Sequence, residues 1–202
     1  TQALRGRLFR EWAGADVVHY PVTVFAPWPR RRPDSPKIVQ TIHDLQHLEL
    51  PHLFSPLERI YRRVLYEQAS RHADVIVTIS EFSRQVIVDR LGINPARVVV
   101  AHLGIDQDFT PNLAEREPFL LYPAWGAAHK NHSRLIEAVA LVRQTRPEMR
   151  LVLTGGGLAN LGDLPEWVDA RGFVSRQELR DLYRRAAALT FPSLYEGFGL
   201  PP

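Results

Sequence analysis

Short apolar runs rich in β-branched residues alternate along the chain with longer stretches whose apolar positions fall three and four residues apart. The runs cover residues 16–20, 37–42, 75–79, 98–103, 119–122, 151–154 and 189–191, and residues 56–72, 81–91, 133–144 and 176–187 carry the helical spacing. A short apolar run followed by an amphipathic helix is the repeating unit of a parallel sheet, so the pattern predicts an α/β fold. Ser80 is placed to cap the second helix, Ser175 with Glu178 reads as a capping box for the fourth, and Pro147 stops the third. Between the fourth and fifth runs the chain turns polar and is bracketed by Pro111 and Pro118. That composition predicts an interdomain linker at 113–118, with a partial domain over 1–112 and another over 119–202.

In open α/β sheets, ligands gather at the carboxyl ends of the strands. The residues best suited to chemistry fall there: His43-Asp44, Ser80-Glu81, Gly104, Lys130, Gly155-Gly156-Gly157, Gly172 and Tyr195-Glu196-Gly197. Residues 191–201 sit where a strand ends and a helix should begin, and Gly197 and Gly199 would let free backbone N–H groups approach an anion. Glu196 beside them would repel a phosphate and so suits hydroxyl groups. Read locally, the same stretch is equally well an ordinary glycine-rich turn with a solvated glutamate. Lys130 stands in His129-Lys130-Asn131-His132 between a strand and a helix, where an ammonium can neutralise a leaving phosphate, although alone a solvated lysine is the simpler account. The triple glycine at 155–157 is either a ligand contact or a flexible loop.

His43 and His47 have the spacing of a zinc-binding helix. Residues 37–42 run as a strand directly into His43, which takes the two rings off a common helical face, so no metal site is expected. Asn131-His132-Ser133 matches a glycosylation sequon, idle in a cytoplasmic chain.

Composition narrows the field. Hydrophobic residues make up 45% and charged residues 23% of the 202, which is globular usage. No run of eighteen apolar residues is present, so no membrane-spanning helix is expected. The absence of cysteine excludes a disulfide framework, a thiol nucleophile and a thiolate zinc site, and fits a reducing compartment. Of 25 basic residues only Lys37 and Lys130 are lysines, and the formal charge is +3. Clusters such as Arg30-Arg31-Arg32 lack interleaved aromatic residues, so nucleic acid is not an expected partner. Residues 56–72 place Arg59, Arg62, Arg63 and Arg71 on one helix with Leu57, Ile60, Val64 and Leu65, a pattern that predicts peripheral contact with an anionic membrane; a helix packed on the sheet with solvated arginines accounts for it equally.

In order along the chain, Thr41-Ile42-His43-Asp44-Leu45, Ser80-Glu81-Phe82-Ser83, Val100-Ala101-His102-Leu103-Gly104-Ile105-Asp106, Lys130-Asn131-His132, Gly172-Phe173-Val174-Ser175, Leu182-Tyr183 and residues 191–201 resemble glycosyltransferase family 4. These are retaining enzymes of the GT-B type, and the resemblance is greatest to bacterial members, often mannosyltransferases, that build surface polysaccharides. It implies two Rossmann-like parallel-sheet domains, both incomplete here, with a cleft between them. The implied reaction moves a hexose, mannose among the candidates, from a nucleoside-diphosphate sugar to a hydroxyl of a carbohydrate or lipid-linked acceptor. Lys130 would stabilise the diphosphate leaving group, Glu196 would contact donor-sugar hydroxyls as the first of a pair of glutamates, and His43 would face the donor sugar. The amides of Gly197, Phe198, Gly199 and Leu200 would meet sugar and diphosphate, Gly172, Phe173 and Val174 would edge the base, and Gly155 and Gly156 belong to the same donor-binding set. No metal or other cofactor is implied, because lysine and backbone amides take the part magnesium plays elsewhere. The implied location is the cytoplasm, at the inner face of the plasma membrane.

Three departures accompany the resemblance. The second glutamate of the pair would fall at position 204, the first strand of the N-terminal domain would precede Thr1, and Trp125 stands where many members have an arginine five residues before the lysine. The chain is therefore expected to be a fragment cut at both ends, and inactive as 202 residues. Two other functions compete. A nucleotide-sugar epimerase or hydrolase on the same fold would need several carboxylates near His43, where only Asp44 stands, and a non-catalytic fragment would bind nucleotide sugar without turnover.

Overall fold

The computed structural model describes residues 14–23, 35–105, 109 and 115–200. They form two compact units, one running to Leu103 and including Glu196–Phe198, the other running from Gly104 to Tyr195 and resuming at Gly199.

The first unit holds four parallel strands, β1 (Val17–Tyr20), β2 (Lys37–Thr41), β3 (Val75–Thr78) and β4 (Val98–Val100), side by side in that order. Its helices are α1 (Gln46–Glu49), α2 (Pro56–His72) and α3 (Glu81–Leu91). The long helices keep the bounds expected of them because both starts are chemically marked. Ser55 and Glu58 close a reciprocal capping box around Pro56, while the Ser80 hydroxyl accepts the Ser83 N–H at 3.0 Å and α3 stops at Gly92, whose φ of 64° only glycine adopts without strain. Ile38, Ile42, Leu45, Ile76, Ile87 and Val98 form the core. Leu65, grouped at first with the outward apolar residues of α2, is buried; Leu57, Ile60, Tyr61 and Val64 are the exposed ones, one helical turn apart.

The second unit has strands β5 (Glu117–Pro123), β6 (Arg150–Thr154), β7 (Val168–Gly172) and β8 (Ala186–Leu189), parallel throughout in the order β7-β6-β5-β8. Helix α4 (His132–Val142) follows β5 and α5 (Arg176–Arg185) follows β7. The two-residue strand period sorts the side chains onto opposite faces. Tyr122, Leu151 and Leu153 pack with Leu135 and Val139 of α4, whereas Phe119, Leu121 and Val152 pack with Leu182 of α5. A sheet covered on both faces requires the near-continuous apolar strands seen in β5 and β6.

One strand and several boundaries differ from the sequence expectation. β7 was not anticipated, since Val-Asp-Ala-Arg-Gly has one buried residue and lies at the sheet edge, where pairing on one side suffices. β8 begins at Ala186 instead of 189 and α5 ends at Arg185, because pairing with β5 outweighs the helix preference of the alanines. β5 starts at Glu117, inside the expected linker, with Glu117 opposite Ala186 and its carboxylate held by Arg185 and Arg150; part of that linker lies outside the described residues. β4 ends at Val100, not 103. At α5 the Ser175 hydroxyl accepts the Glu178 N–H at 3.1 Å, and the Glu178 carboxylate takes an N–H from Arg171 at 3.0 Å.

His43 and His47 occupy different elements, the loop after β2 and helix α1. His47 is a core residue, 2% exposed, packed against Tyr66 and Phe54 with ring centroids 4.7 and 6.5 Å away. Burial first, and the nearby Arg62 second, lower its pKa from 6.5 to about 4, with Asp44 opposing. The unfolded chain therefore binds the proton between pH 6.5 and 4 while the folded chain does not, and stability falls as the pH drops through that window. Denaturant midpoints at pH 7.5 and 5 should record a loss of about 2 kcal/mol from this group, and the pH-dependent loss should shrink by that amount in His47→Phe.

Candidate functional site

Parallel pairing sends every strand of a sheet out at the same edge, so the loops that follow β5, β6, β7 and β8 share one rim of the second unit. Backbone hydrogen bonds stitch these loops together. Ala124 N–H donates to the Thr154 carbonyl at 2.9 Å, Gly126 N–H to Gly156 at 2.8 Å and Gly155 N–H to Gly172 at 2.7 Å. Three of the expected donor-binding glycines thus meet in one backbone network. Gly155, at φ 122°, crosses so close to the preceding loop that a Cβ there would lie 2.6 Å from the Ala124 carbonyl oxygen.

Lys130 ends a short 3-10 turn, Ala128–Lys130, that leads into α4. Its backbone is fixed from two directions. The Tyr122 hydroxyl, from the buried end of β5, donates to the Lys130 carbonyl at 2.9 Å and shares a 2.9 Å hydrogen bond with the Ser193 hydroxyl; Leu194 N–H donates to the His129 carbonyl at 2.8 Å. Asn131 then adopts a left-handed φ of 58°, unique among the described non-glycine residues, and its amide donates to the Pro192 carbonyl at 3.2 Å. The lysine is half-buried, with its main chain anchored to β5 and to the loop after β8. His132, the first residue of α4, is 2% exposed and lies against the Tyr122 ring at 4.9 Å. Burial, then the charges of Lys130 and His129, lowers its pKa, so it stays neutral beside the lysine.

The rim also carries two residues whose arrangement was not anticipated. Trp125 and Phe173 form an edge-to-face pair with ring centroids 5.8 Å apart. Trp125 had been noted only as the residue in place of an arginine. Its indole lies over Gly156 and Gly157, so in this structure the close approach permitted by those glycines is to an aromatic ring. The sequence signal for this was the glycine run itself, which says that something approaches the backbone without saying what.

In the first unit, Gly197 is buried, and a Cβ on it would lie 2.8 Å from the His43 carbonyl oxygen and 3.2 Å from the Asp44 Cβ. The hydroxyls of Ser80 and Ser83 both donate to the Gly197 carbonyl, Ser83 at 3.0 Å, and Phe198 lies 6.0 Å from the His102 ring. His43 and Gly197 are therefore neighbours. Ser80 has a second use beyond capping α3, and Ser83, fully buried in the first turn of that helix, gains a purpose that no local pattern announced. Glu196 is half-buried and His43 exposed. Gly199 has φ 85°, a Cβ on it would lie 3.7 Å from the Phe191 ring, and Leu200 is exposed. The helix expected to begin near Gly197 is not formed through Leu200, and the residues that follow lie outside those described. Val174 is half-buried at the start of the turn into α5.

Residues 2–109 match the family model described as Glycosyltransferase Family 4, and residues 105–202 that described as Glycosyl transferases group 1. The chain is 29% identical over 188 residues to O-antigen chain mannosyltransferase B of Escherichia coli, covering 82% of this chain and 49% of that protein. It is 30% identical over 188 residues to D-inositol 3-phosphate glycosyltransferase of Stackebrandtia nassauensis, covering 79% and 42%. The chain spans about half the length of the curated relatives it matches. Among solved structures it resembles sucrose-phosphate synthase of Thermosynechococcus elongatus, with a TM-score of 0.75, 20% identity, and coverage of 98% of this chain and 55% of that one. Anabaena HepE in complex with UDP and glucose gives a TM-score of 0.65 at 16% identity, with coverage of 95% and 56%. The fold is that of the GT-B glycosyltransferases, built on parallel α/β sheets.

Gly155 and Gly162 both have positive φ, 122° and 74°, but nothing lies within 4 Å of a Cβ on Gly162. Gly162→Ala should therefore cost about 1 kcal/mol of backbone strain, and Gly155→Ala clearly more, about 3 kcal/mol, because the clash is with backbone. Equal denaturant midpoints for the two variants would show that the rim is looser than its hydrogen bonds indicate.

Proposed function

The chain belongs to glycosyltransferase family 4, and from that premise we propose that it takes part in moving a hexose, mannose foremost, from a nucleoside-diphosphate sugar to a hydroxyl acceptor, with retention at the anomeric carbon. The observation that carries this reading is the rim of the second unit. There Lys130, its carbonyl bonded by the Tyr122 hydroxyl and the preceding His129 carbonyl by the Leu194 N–H, follows β5 on the rim that also carries the stitched loops of Gly155, Gly156 and Gly172. An ammonium at this place neutralises a diphosphate as the bond to the sugar breaks, and the fixed backbone narrows the positions that it can take. Burial and the charges of Lys130 and His129 hold the His132 pKa down. Glu196 and His43 carry the donor-sugar contacts in this reading, and the Gly197–Leu200 backbone the contacts to sugar and phosphate. The mannosyl donor is favoured by the O-antigen mannosyltransferases among the similar proteins.

No divalent metal takes part. Nucleoside diphosphate should bind with the same affinity with and without a chelator, by calorimetry. In the complete enzyme, of which this chain is a part, Lys130→Ala should lower kcat/KM about a hundredfold, the equivalent of about 2–3 kcal/mol of lost charge-assisted contact, read by mass spectrometry of products from a panel of nucleotide sugars and lipid-linked acceptors. A variant with near-normal kcat/KM would put the phosphate elsewhere.

The acceptor side of the proposal involves a membrane. Leu57, Ile60, Tyr61 and Val64 expose a continuous apolar stripe on α2, flanked by Arg59, Arg62 and Arg63, an arrangement suited to lying in an anionic interface. No helix among the described residues is long and apolar enough to cross a membrane. The protein should sediment with anionic liposomes and less with neutral ones, and Ile60→Glu should abolish the difference; equal sedimentation with both would remove the membrane from the account.

A further inference from the structure

Trp125 and Phe173 are 55% and 78% exposed, unusual for rings of this size on a well-packed loop network. Their exposure is not slack. The three hydrogen bonds among the loops after β5, β6 and β7 fix the backbone under both rings. A Cβ on Gly156 would lie 2.7 Å from Trp125 Cη2 and 2.8 Å from Phe173 Cζ, and one on Gly157 2.7 Å from the indole Nε1. The two glycines are a floor on which the indole rests, and the remaining surface of each ring faces solvent at the ligand-binding rim.

We propose that Trp125, with Phe173 beside it, is the residue that selects the nucleoside part of the donor, by stacking on its heterocyclic base. The inference rests on the donor reading given above and adds to it a division of labour along one loop. Lys130, five residues after Trp125, is the charge that suits phosphate. The face of an indole carries partial negative charge and disfavours an anion, but it favours the flat, polarisable ring of a base. An arginine at position 125 would have added a second phosphate contact; the tryptophan moves that share of the binding energy from phosphate to nucleoside. Because stacking depends on the plane of the ring more than on its hydrogen-bond pattern, this contact distinguishes a nucleoside diphosphate from bare diphosphate more sharply than one base from another.

Calorimetric titrations of the full chain, Trp125→Phe, Trp125→Ala and Phe173→Ala with a nucleoside diphosphate and with inorganic pyrophosphate test this. Trp125→Ala should weaken the nucleoside diphosphate about tenfold or more, Trp125→Phe should recover most of that loss, and pyrophosphate should bind all four proteins alike. Unchanged nucleoside-diphosphate affinity in Trp125→Ala would overturn the inference and leave the donor reading intact. A parallel loss for pyrophosphate would also overturn it, since the indole would then be acting through the phosphate loop. A wild-type chain that binds pyrophosphate and nucleoside diphosphate equally would do the same, and one that binds neither would remove the donor reading itself.

Discussion

In a parallel ladder all strands leave the sheet in the same direction, and each following loop starts with backbone groups that the ladder no longer pairs. In the second unit those groups pair with one another: Ala124 with Thr154, Gly126 with Gly156, Gly155 with Gly172. This network is the constraint on which the rim depends. It brings the ends of β5, β6 and β7 within hydrogen-bonding distance, and at that spacing side chains do not fit between them. A Cβ on Gly126 would lie 2.6 Å from the Gly157 carbonyl carbon, as one on Gly155 would meet Ala124. The glycines are needed first for the scaffold, and a ligand uses a surface that the scaffold has already made rigid.

Chemistry is then distributed by what each position can tolerate. Lys130 leaves the network on a turn that α4 continues, half-buried and with its carbonyl tied to Tyr122. His132, two residues on, is drawn into the core, where burial keeps it neutral. Trp125 stays outside because the glycine floor fills the space beneath it. One loop thus carries a lysine and an exposed indole five residues apart. In the first unit Gly197 obeys the same logic, with its carbonyl held by two serine hydroxyls and no space for a side chain beside His43.

Much of this was legible in the sequence. Helices α2 and α3 followed from apolar spacing and from Ser80 as a cap, and the interior strands β5 and β6 from unbroken apolar runs, because sheets covered on both faces leave that trace. Edge strands do not. β7 buries only Val168, so its sequence carries no period, and β8 is an alanine run whose local preference is helical. The positions of the candidate site were legible as strand ends, since topology alone places them. What could not be read was contact across distant segments: the hydroxyls of Ser80 and Ser83 on Gly197, the Tyr122 hydroxyl on Ser193, and the indole on the glycine run. Each joins residues with no mutual signal along the chain, and each depends on loop geometry that only the folded sheet fixes.

On the proposed reading, a nucleoside diphosphate binds at the carboxyl-end rim of the second unit. Titrating a nucleoside diphosphate into nitrogen-labelled protein and following the backbone amides tests it most directly. The account predicts that the largest shifts fall on Trp125 and Gly126, Lys130 to His132, Gly155 to Gly157, and Gly172 to Val174, with the bodies of α4 and α5 little changed. Shifts confined to the opposite edge of that sheet, or to the residues around His47 in the first unit, would contradict it.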